Sequence, residues 1–542
     1  MLEKNQQYSA IITDITSEGN GVCRIDGMAV FVPNTAVGDE INLKIVKVLK
    51  SYAFAIVTDI IKPSPDRIQL DCIHFNKCGG CIFRHISYEA ECKIKSDIVK
   101  NAFIRIGGLN PEFLPFVGCE NISEYRNKAQ YPLACVDGKA VCGFFAPRSH
   151  RVIPIDKCIL QPEIFSRIVS SILDYINKSN IKVYNETNHS GSVRHIYIRQ
   201  GFHSKEIMVC IVAKSDISTQ LADLCSILSS SFPDIKSIIL NINPDNTNVI
   251  LGKKCLTLYG SDFISDFMCS NKIQISPLSF YQVNTAQAEK LYSIAENFAC
   301  INKNSTIADL FCGAGTIGLS MARKVYKLFG IEIIPQAIDN AIANASANNI
   351  SNAQFICGDA GQAFSQLISN GISPDIIFLD PPRKGCAMPS ISQVVNASPS
   401  QIIMISCNPS TAARDAKIFS QLGYSTSKVC GVDMFPRTGH VETVVLLSKL
   451  QTKQHIDIEL NTNELDLTSS ESKATYDEIK AYVKEHAGLT VSSLNIAQVK
   501  KKCGIIEREN YNKAKSDGAK QPKCPKDKEE AISSALKFYK MI

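Results

Sequence analysis

Three groups of side chains in this 542-residue sequence can carry chemistry by their type and spacing. In the first, the apolar run QIIMIS ends at Cys407, followed by Asn408 and Pro409, and the run PDIIFLD ends at Asp380, followed by Pro-Pro-Arg-Lys-Gly. Both read as buried parallel strands, whose C-terminal ends gather ligands and reacting groups at one edge of a sheet. A thiol at such an edge is a candidate nucleophile that splits one difficult step into two easier ones through a covalent adduct. An adduct of this kind needs a base to resolve it, and Glu442 in GHVETV is the candidate. The second group is the glycine-rich bend DLFCGAGTIG (309–318), where the backbone can pass close to a ligand. Glu332 ends the next strand, where a carboxylate can accept both hydroxyls of a ribose, and Asp359 after the third strand is placed near an adenine edge. In the third group, CIHFNKCGGC, five residues separate Cys72 from Cys78 and two separate Cys78 from Cys81. This spacing, with Gly79 and Gly80, lets a loop wrap a metal centre, and zinc or an iron–sulfur cluster would each take four thiolates. Cys92 is the near competitor for the fourth place.

These residues need elements to hold them. Between Ser9 and Ile61 short alternating runs are separated by Gly19, Gly21, Gly27 and PNTAVGDE, which predicts a small closed barrel. KPSPD ends it, residues 93–115 read as helical, and 116–270 mix strands with helices. From Ser276 buried strands alternate with helical stretches, the pattern of a parallel, doubly wound sheet. Residues 451–475 carry two Lys against five acidic groups and read as a linker. Beyond it, YDEIKAYVKEH and SSLNIAQVKKKCG flank a turn at Gly488 and predict a helix-turn-helix-like unit. The expected units are therefore 1–65, 66–275, 276–450, the linker, and 476–542, as a chain over three times the ~150 residues of a typical domain implies. The last unit carries fourteen basic against nine acidic residues, so Lys500, Lys501 and Lys502 can meet phosphate, whereas residues 1–65 carry six against seven. Hydrophobic residues make up 45% and charged residues 20%, a globular composition. No run approaches the ~18 apolar residues of a membrane helix and no apolar leader opens the chain, so secretion and membrane insertion are not expected. Twenty-one cysteines without a leader predict a reducing, cytoplasmic setting.

The phrase EGNGVCRIDGMAVFVPNTAVGDEINLKI resembles a TRAM domain, an OB-like barrel found on RNA-modifying enzymes, and the likeness covers nearly all of residues 1–63. DLFCGAGTIG is similar to the S-adenosylmethionine site of class I methyltransferases, and FLDPPRKG, SCNP and GHVETV follow it in the order of the RNA uracil-C5 methyltransferase family. The resemblance is strongest to bacterial 23S rRNA members that carry a TRAM domain and an iron–sulfur cluster. It implies a class I, Rossmann-like α/β sheet with an N-terminal OB-like barrel, a mixed central RNA-binding domain and a small helical, basic C-terminal extension that departs from a family plan ending near Leu450. It makes Cys407 the nucleophile and Glu442 the base, with Gln282 in SFYQVN, Phe311, Glu332 and Asp380 at cofactor-binding positions and Asp380 within reach of the target base. The chemistry agrees: uracil C5 is too weak a nucleophile until a thiolate adds to C6 and turns the ring into an enolate. Cys158 in IPIDKCILQP matches the distant fourth cysteine of members whose [4Fe–4S] cluster would here be held with Cys72, Cys78 and Cys81; zinc is the alternative. YRNKAQYPL (125–133) and GFFAPRSHRVI (143–153) match family stretches that mix basic and aromatic residues, as RNA stacking and phosphate contacts require. The implied partner is RNA, with 23S rRNA first and tRNA as the alternative, a flipped target uridine, and no obligate protein partner. A noncatalytic RNA-binding or ribosome-assembly protein on the same fold is the rival that intact Cys407 and Glu442 argue against.

Overall fold

The computed structural model describes residues 2–450, 476–503 and 524–539. The chain divides into two compact units, Met1–Gln451 and Thr452–Ile542. In the first, six strands between Gln7 and Lys62 form one curled sheet, in which Gln7–Ile11 pairs with Glu40–Val48 and Met28–Val32 lies parallel to Tyr52–Lys62. Alternation along Glu40–Val48 turns Ile41, Leu43 and Ile45 inward onto Cys23, Val30, Val32 and Ala53, so the barrel has its own core. Buried Asp39 ties the barrel to the segment after its last strand, accepting from Ala36 N at 2.6 Å, Ser64 N at 2.9 Å and both forks of Arg67 at 2.8 Å.

The helix after the barrel spans Tyr88–Asn101, starting earlier than the expected 93 because the Ser87 hydroxyl caps it by accepting from Ala90 N. A wider turn, Ala102–Gly107, ends at left-handed Gly108, and Glu112–Phe113 is a strand rather than helix. A seven-stranded mixed sheet comes next, in the spatial order Val152–Pro154, Lys139–Phe145, Lys128–Val136, Val193–Gln200, Ile207–Ala213, Ile235–Ile242 and Lys254–Gly260. Its strand Ile207–Ala213 is apolar throughout because both faces are covered, while the neighbouring Val193–Gln200 is buried with Arg194, His195 and Arg199 in it. Helices Glu163–Lys178 and Ala222–Ser231 pack on one face, while Tyr197, Met208, Cys210 and Val212 on the other join a core shared with Ala288, Ile307 and Ile405.

An eight-stranded sheet positions the chemistry. Its order is Ala353–Cys357, Lys327–Glu332, Thr306–Leu310, Ile376–Leu379, Gln401–Ser406, Glu442–Lys449, Tyr424–Val432, Glu112–Phe113. The first five run parallel, and the order reverses between Thr306–Leu310 and Ile376–Leu379, which makes the crevice where such sheets bind ligands. Glu442–Lys449 is antiparallel to Gln401–Ser406, with Ser406 opposite Thr443. The sheet is thus not wholly parallel, and the reversal has a consequence: it sets the start of the Glu442 strand beside the end of the Cys407 strand.

The second unit holds helices Tyr476–Ala487, Ser493–Lys502 and Lys526–Phe538 around Ile479, Val483, Ile496, Val499, Ile532 and Leu536. The third helix, not expected from the sequence, supplies part of that core. The expected linker at 451–475 and the side chain of Lys501 lie outside the described residues. Among the described residues, no helix is long and apolar enough to cross a membrane.

Candidate active site

The strand Gln401–Ser406 is apolar because it is sandwiched in the sheet, and Cys407 is the first residue beyond it. Asn408 then caps the 13-residue helix Pro409–Gln421 by accepting from Ser410 N at 3.0 Å. The thiol therefore stands at a helix N-terminus, whose dipole favours the thiolate. The amide of Asn408 also donates to Arg383 O at 3.4 Å, and Thr411 Oγ1 donates to the same carbonyl at 3.3 Å, so the loop after Asp380 is fastened to the cysteine's own cap. Gly385 closes that loop with φ +81°, where a Cβ would stand 2.5 Å from the Asp415 carboxylate; only glycine fits. From this loop Arg383 lies close enough to the Cys407 thiol to pull its pKa down and stands 3.3 Å from both ring nitrogens of His440.

Glu442 arrives from the antiparallel strand and is 7% exposed. Its pKa is pushed up to about 8 by burial and by the charge of Asp380, against the pull of Arg383. Burial raises Asp380 to about 7. The Cys407 thiol is raised by burial and by the charges of Glu442 and Asp380, and Arg383 lowers it. Two carboxyls and a thiol within one another's field cannot all be ionised at neutral pH, so the site holds exchangeable protons where a covalent mechanism needs a base. Arg383 and His440 were not singled out from sequence; the only available signal for Arg383 was its place directly after Asp-Pro-Pro.

The glycine-rich bend begins where the strand Thr306–Leu310 ends. Phe311 has φ +65°, a strained conformation for a side chain of that size, and Gly315 has φ +76° with the Phe355 ring 3.0 Å from where its Cβ would be. Glu332 accepts from Gly313 N at 3.2 Å and Ile334 N at 3.1 Å, which puts its carboxylate on the bend. Beneath it, Asp309 Oδ2 accepts from Gly318 N at 2.9 Å while the buried Oδ1 has no partner, and burial raises this acid to about 7. The Gln282 side chain lies near Tyr292, whose hydroxyl is 3.2 Å from Thr316 Oγ1 and in the field of Asp380. Gln282, Glu332, Phe311 and Asp380 thus converge on one cradle. An orphaned buried carboxyl oxygen and a bend open to a ligand fit a polar, ribose-bearing cofactor. Asp359, expected at an adenine edge, caps the helix Ala360–Ser369 by accepting from Gly361 N and Gln362 N.

Cys72, Cys78 and Cys81 on one loop and Cys158 on another lie within one another's electrostatic reach. Burial and the charges of the other three push Cys81 up to about 12, and Cys158 and Cys78 are raised by burial and by their neighbouring thiols. Gly80 N donates to Cys78 Sγ at 3.4 Å. Cys92 is elsewhere, in the surroundings of Tyr88 and Asp433. Among the described residues, no three His, Cys, Asp or Glu side chains close on a point as a single ion would require. Nearby, a groove of about 420 Å³ is lined by Phe145, His150, Arg151, Tyr184 and Arg194.

Comparison with known proteins matches residues 271–450 to the tRNA (uracil-5-)-methyltransferase family and residues 2–58 to the TRAM domain. An uncharacterized RNA methyltransferase of Clostridium tetani is 39% identical over 447 residues, 82% of this chain and 97% of the relative. One from Staphylococcus epidermidis is also 39% identical, over 82% of this chain and 98% of its own length. Among solved structures, the Pyrococcus abyssi tRNA (uracil-54, C5)-methyltransferase in complex with S-adenosyl-L-homocysteine aligns with a TM-score of 0.64 and 25% identity, covering 81% of this chain and 100% of that one.

Proposed function

This chain belongs to the RNA uracil-C5 methyltransferase family, and from that premise we propose that it methylates C5 of a uridine in structured RNA, with 23S rRNA as the substrate, through a covalent adduct on Cys407. S-adenosylmethionine supplies the methyl group, and the bend at 311–318 with Gln282, Glu332 and Asp380 would hold it. The chain's own residues do the rest. Cys407 adds to C6 of the flipped uridine; the charge of nearby Arg383 favours the thiol's ionised form against the two carboxylates. C5 then carries both the methyl group and its hydrogen. Glu442 takes that proton, the C5=C6 double bond re-forms, and the sulfur leaves on Cys407. Asp380 holds the ring from the cofactor side. The observation that carries this reading is the meeting of Cys407, Glu442, Asp380 and Arg383 at one sheet edge beside the glycine-rich bend.

Cys72, Cys78, Cys81 and Cys158 would hold a [4Fe–4S] cluster. Zinc, held by the same four thiolates, is the alternative. The Gly80 amide on Cys78 adds the kind of sulfur hydrogen bond that tunes such clusters. The basic and aromatic groove beside them would meet RNA by stacking and phosphate contacts. Mapping 5-methyluridine in rRNA and tRNA from a strain lacking the gene tests the assignment. Loss of one 23S rRNA site is expected; loss confined to tRNA would move the substrate, and no loss in either would overturn the reading.

A further inference from the structure

The loop 433–441 delivers His440 and Glu442 to the catalytic edge, and from 433 to 437 every carbonyl is held by a donor from outside it. Gln287 Nε2 donates to Asp433 O at 3.0 Å, Asn284 Nδ2 to Met434 O at 3.2 Å, and Lys95 Nζ to Phe435 O at 3.2 Å. Tyr125 OH donates to Pro436 O at 2.9 Å, and Ile82 N and Phe83 N to Arg437 O at 2.9 and 3.2 Å. Asn284 and Gln287 lie just after Gln282 in the chain, and Ile82 directly after Cys81, so the cofactor segment and the cysteine loop both end on this one stretch.

At its centre lies an ionic knot. Lys95, Glu91 and Asp433 are each 0% exposed. The three protons of Lys95 Nζ are taken by Glu91 Oε1 at 2.8 Å, Asp433 Oδ1 at 2.8 Å and the Phe435 carbonyl. Tyr88 OH donates to Asp433 Oδ2 at 2.8 Å, and Arg437 N donates to Glu91 Oε1 at 2.6 Å. Arg437 is itself buried with φ +71°, a conformation that a residue with a side chain keeps only where its surroundings over-determine it. Charges sealed from water commonly stabilise a fold less than apolar groups of the same volume would. What this knot provides is a single geometry for the loop.

We propose that Lys95, with Glu91 and Asp433, is a positioning residue for the step that resolves the adduct, fixing the loop so that the Glu442 carboxylate reaches the C5 proton. The inference rests on the reading of Glu442 as the base. In that step the proton passes from C5 to Glu442, the C–H electron pair becomes the C5=C6 bond, and the C6–S pair leaves on Cys407 Sγ. Cys407 and the glycine-rich bend are carried by the strands Gln401–Ser406 and Thr306–Leu310, and the loop meets the cofactor segment only through Asn284 and Gln287, so the knot's larger effect falls on the second half of the reaction.

Single-turnover measurements on the full chain with substrate RNA separate the two halves. In Lys95→Met, release of the covalent RNA–protein complex slows by on the order of tenfold or more, as a misplacement of about an ångström costs. Methyl transfer and S-adenosylhomocysteine affinity stay within about threefold, and the complex accumulates on denaturing gels. Because Lys95→Met leaves buried Asp433 without a counter-ion and Glu91 with only the Arg437 guanidinium at 3.4 Å, the charge-balanced Lys95→Met/Asp433→Asn and the milder Tyr88→Phe carry the same test if it does not fold. Folded variants that release RNA at the wild-type rate, or lose methyl transfer and release in equal proportion, overturn the proposal. Glu442→Gln serves as the reference: if it releases normally, the base assignment itself fails, whereas if it traps RNA and the knot variants do not, only the positioning role fails.

Discussion

At Cys407 opposing influences meet. Burial and two neighbouring carboxylates hold the thiol neutral, while Arg383 and the start of the helix Pro409–Gln421 pull toward the thiolate. Cys407→Ala removes the nucleophile and leaves the cofactor cradle intact. Methylation should therefore fall below detection while S-adenosylhomocysteine affinity, read by calorimetry, stays within a few fold. RNA carrying 5-fluorouridine should trap the wild-type protein covalently and not the variant; a trapped Ala variant would remove Cys407 from its role. Glu442 has a pH signature. With its pKa held near 8 by burial and Asp380, the base form is scarce at pH 6 and grows about tenfold per pH unit until it levels near pH 8. The raised thiol acts in the same direction. Thus kcat, which includes release of the adduct, should climb from pH 6 to 8 and kcat/KM should follow the thiol in the same direction; flat or falling profiles would show that neither group must lose a proton.

At the scale of elements, one reversal does much of the arranging. Had Glu442–Lys449 run parallel to its neighbour, Glu442 would stand at the far end of the sheet from Cys407; pairing Ser406 with Thr443 brings the two ends together. The cysteine loops are tied in as well, since Ile82 and Phe83 bond Arg437 O while Arg126 N bonds Leu160 O just beyond Cys158. The proposed centre thus stands behind the loop that carries Glu442, although its cysteines lie hundreds of residues away in sequence. Protein purified without air should contain about four iron and four sulfide per chain. Cys158→Ser should lose them and Cys92→Ser should keep them, because Cys92 stands beside Tyr88 and Asp433 instead. Stoichiometric zinc without iron would refute the cluster's identity, and the opposite pattern of losses would change the fourth ligand.

For the whole molecule, the open matter is the unit after Leu450. Its three helices have a core of their own, and its charge is net basic. If its lysines neutralise phosphates, a chain ending at Leu450 should bind RNA more weakly and with a flatter dependence of log affinity on log salt, because fewer counterions are released. Chemistry at saturating RNA should persist, since every catalytic and cofactor position proposed above lies between Gln282 and Glu442. An unchanged salt slope in filter-binding titrations would withdraw RNA contact from this unit.

Much of this molecule was legible in the sequence because local rules wrote it. The glycine-rich bend, the Asp-Pro-Pro and Cys-Asn-Pro strand ends and the barrel's alternation each arise from the backbone needs of a few consecutive residues. What spacing could not show is which distant residues share a low-dielectric space. Nothing local marks Lys95 as paired with Asp433, since a lysine in an amphipathic helix ordinarily faces water. Arg437 likewise reads as a loop arginine until its backbone is seen to be held on both sides. The third C-terminal helix escaped notice because its burial depends on Ile479 and Val483, far earlier in the chain. Asp359 shows the converse: a strand-end carboxylate suits a ligand and a helix cap at once, and what the structure shows is the cap, its Oδ1 accepting from Gly361 N and Gln362 N. Local pattern determined the fold class and the candidate nucleophile and base; the antiparallel reversal and the buried charge knot, which depend on partners hundreds of residues apart, were decided only by the tertiary structure.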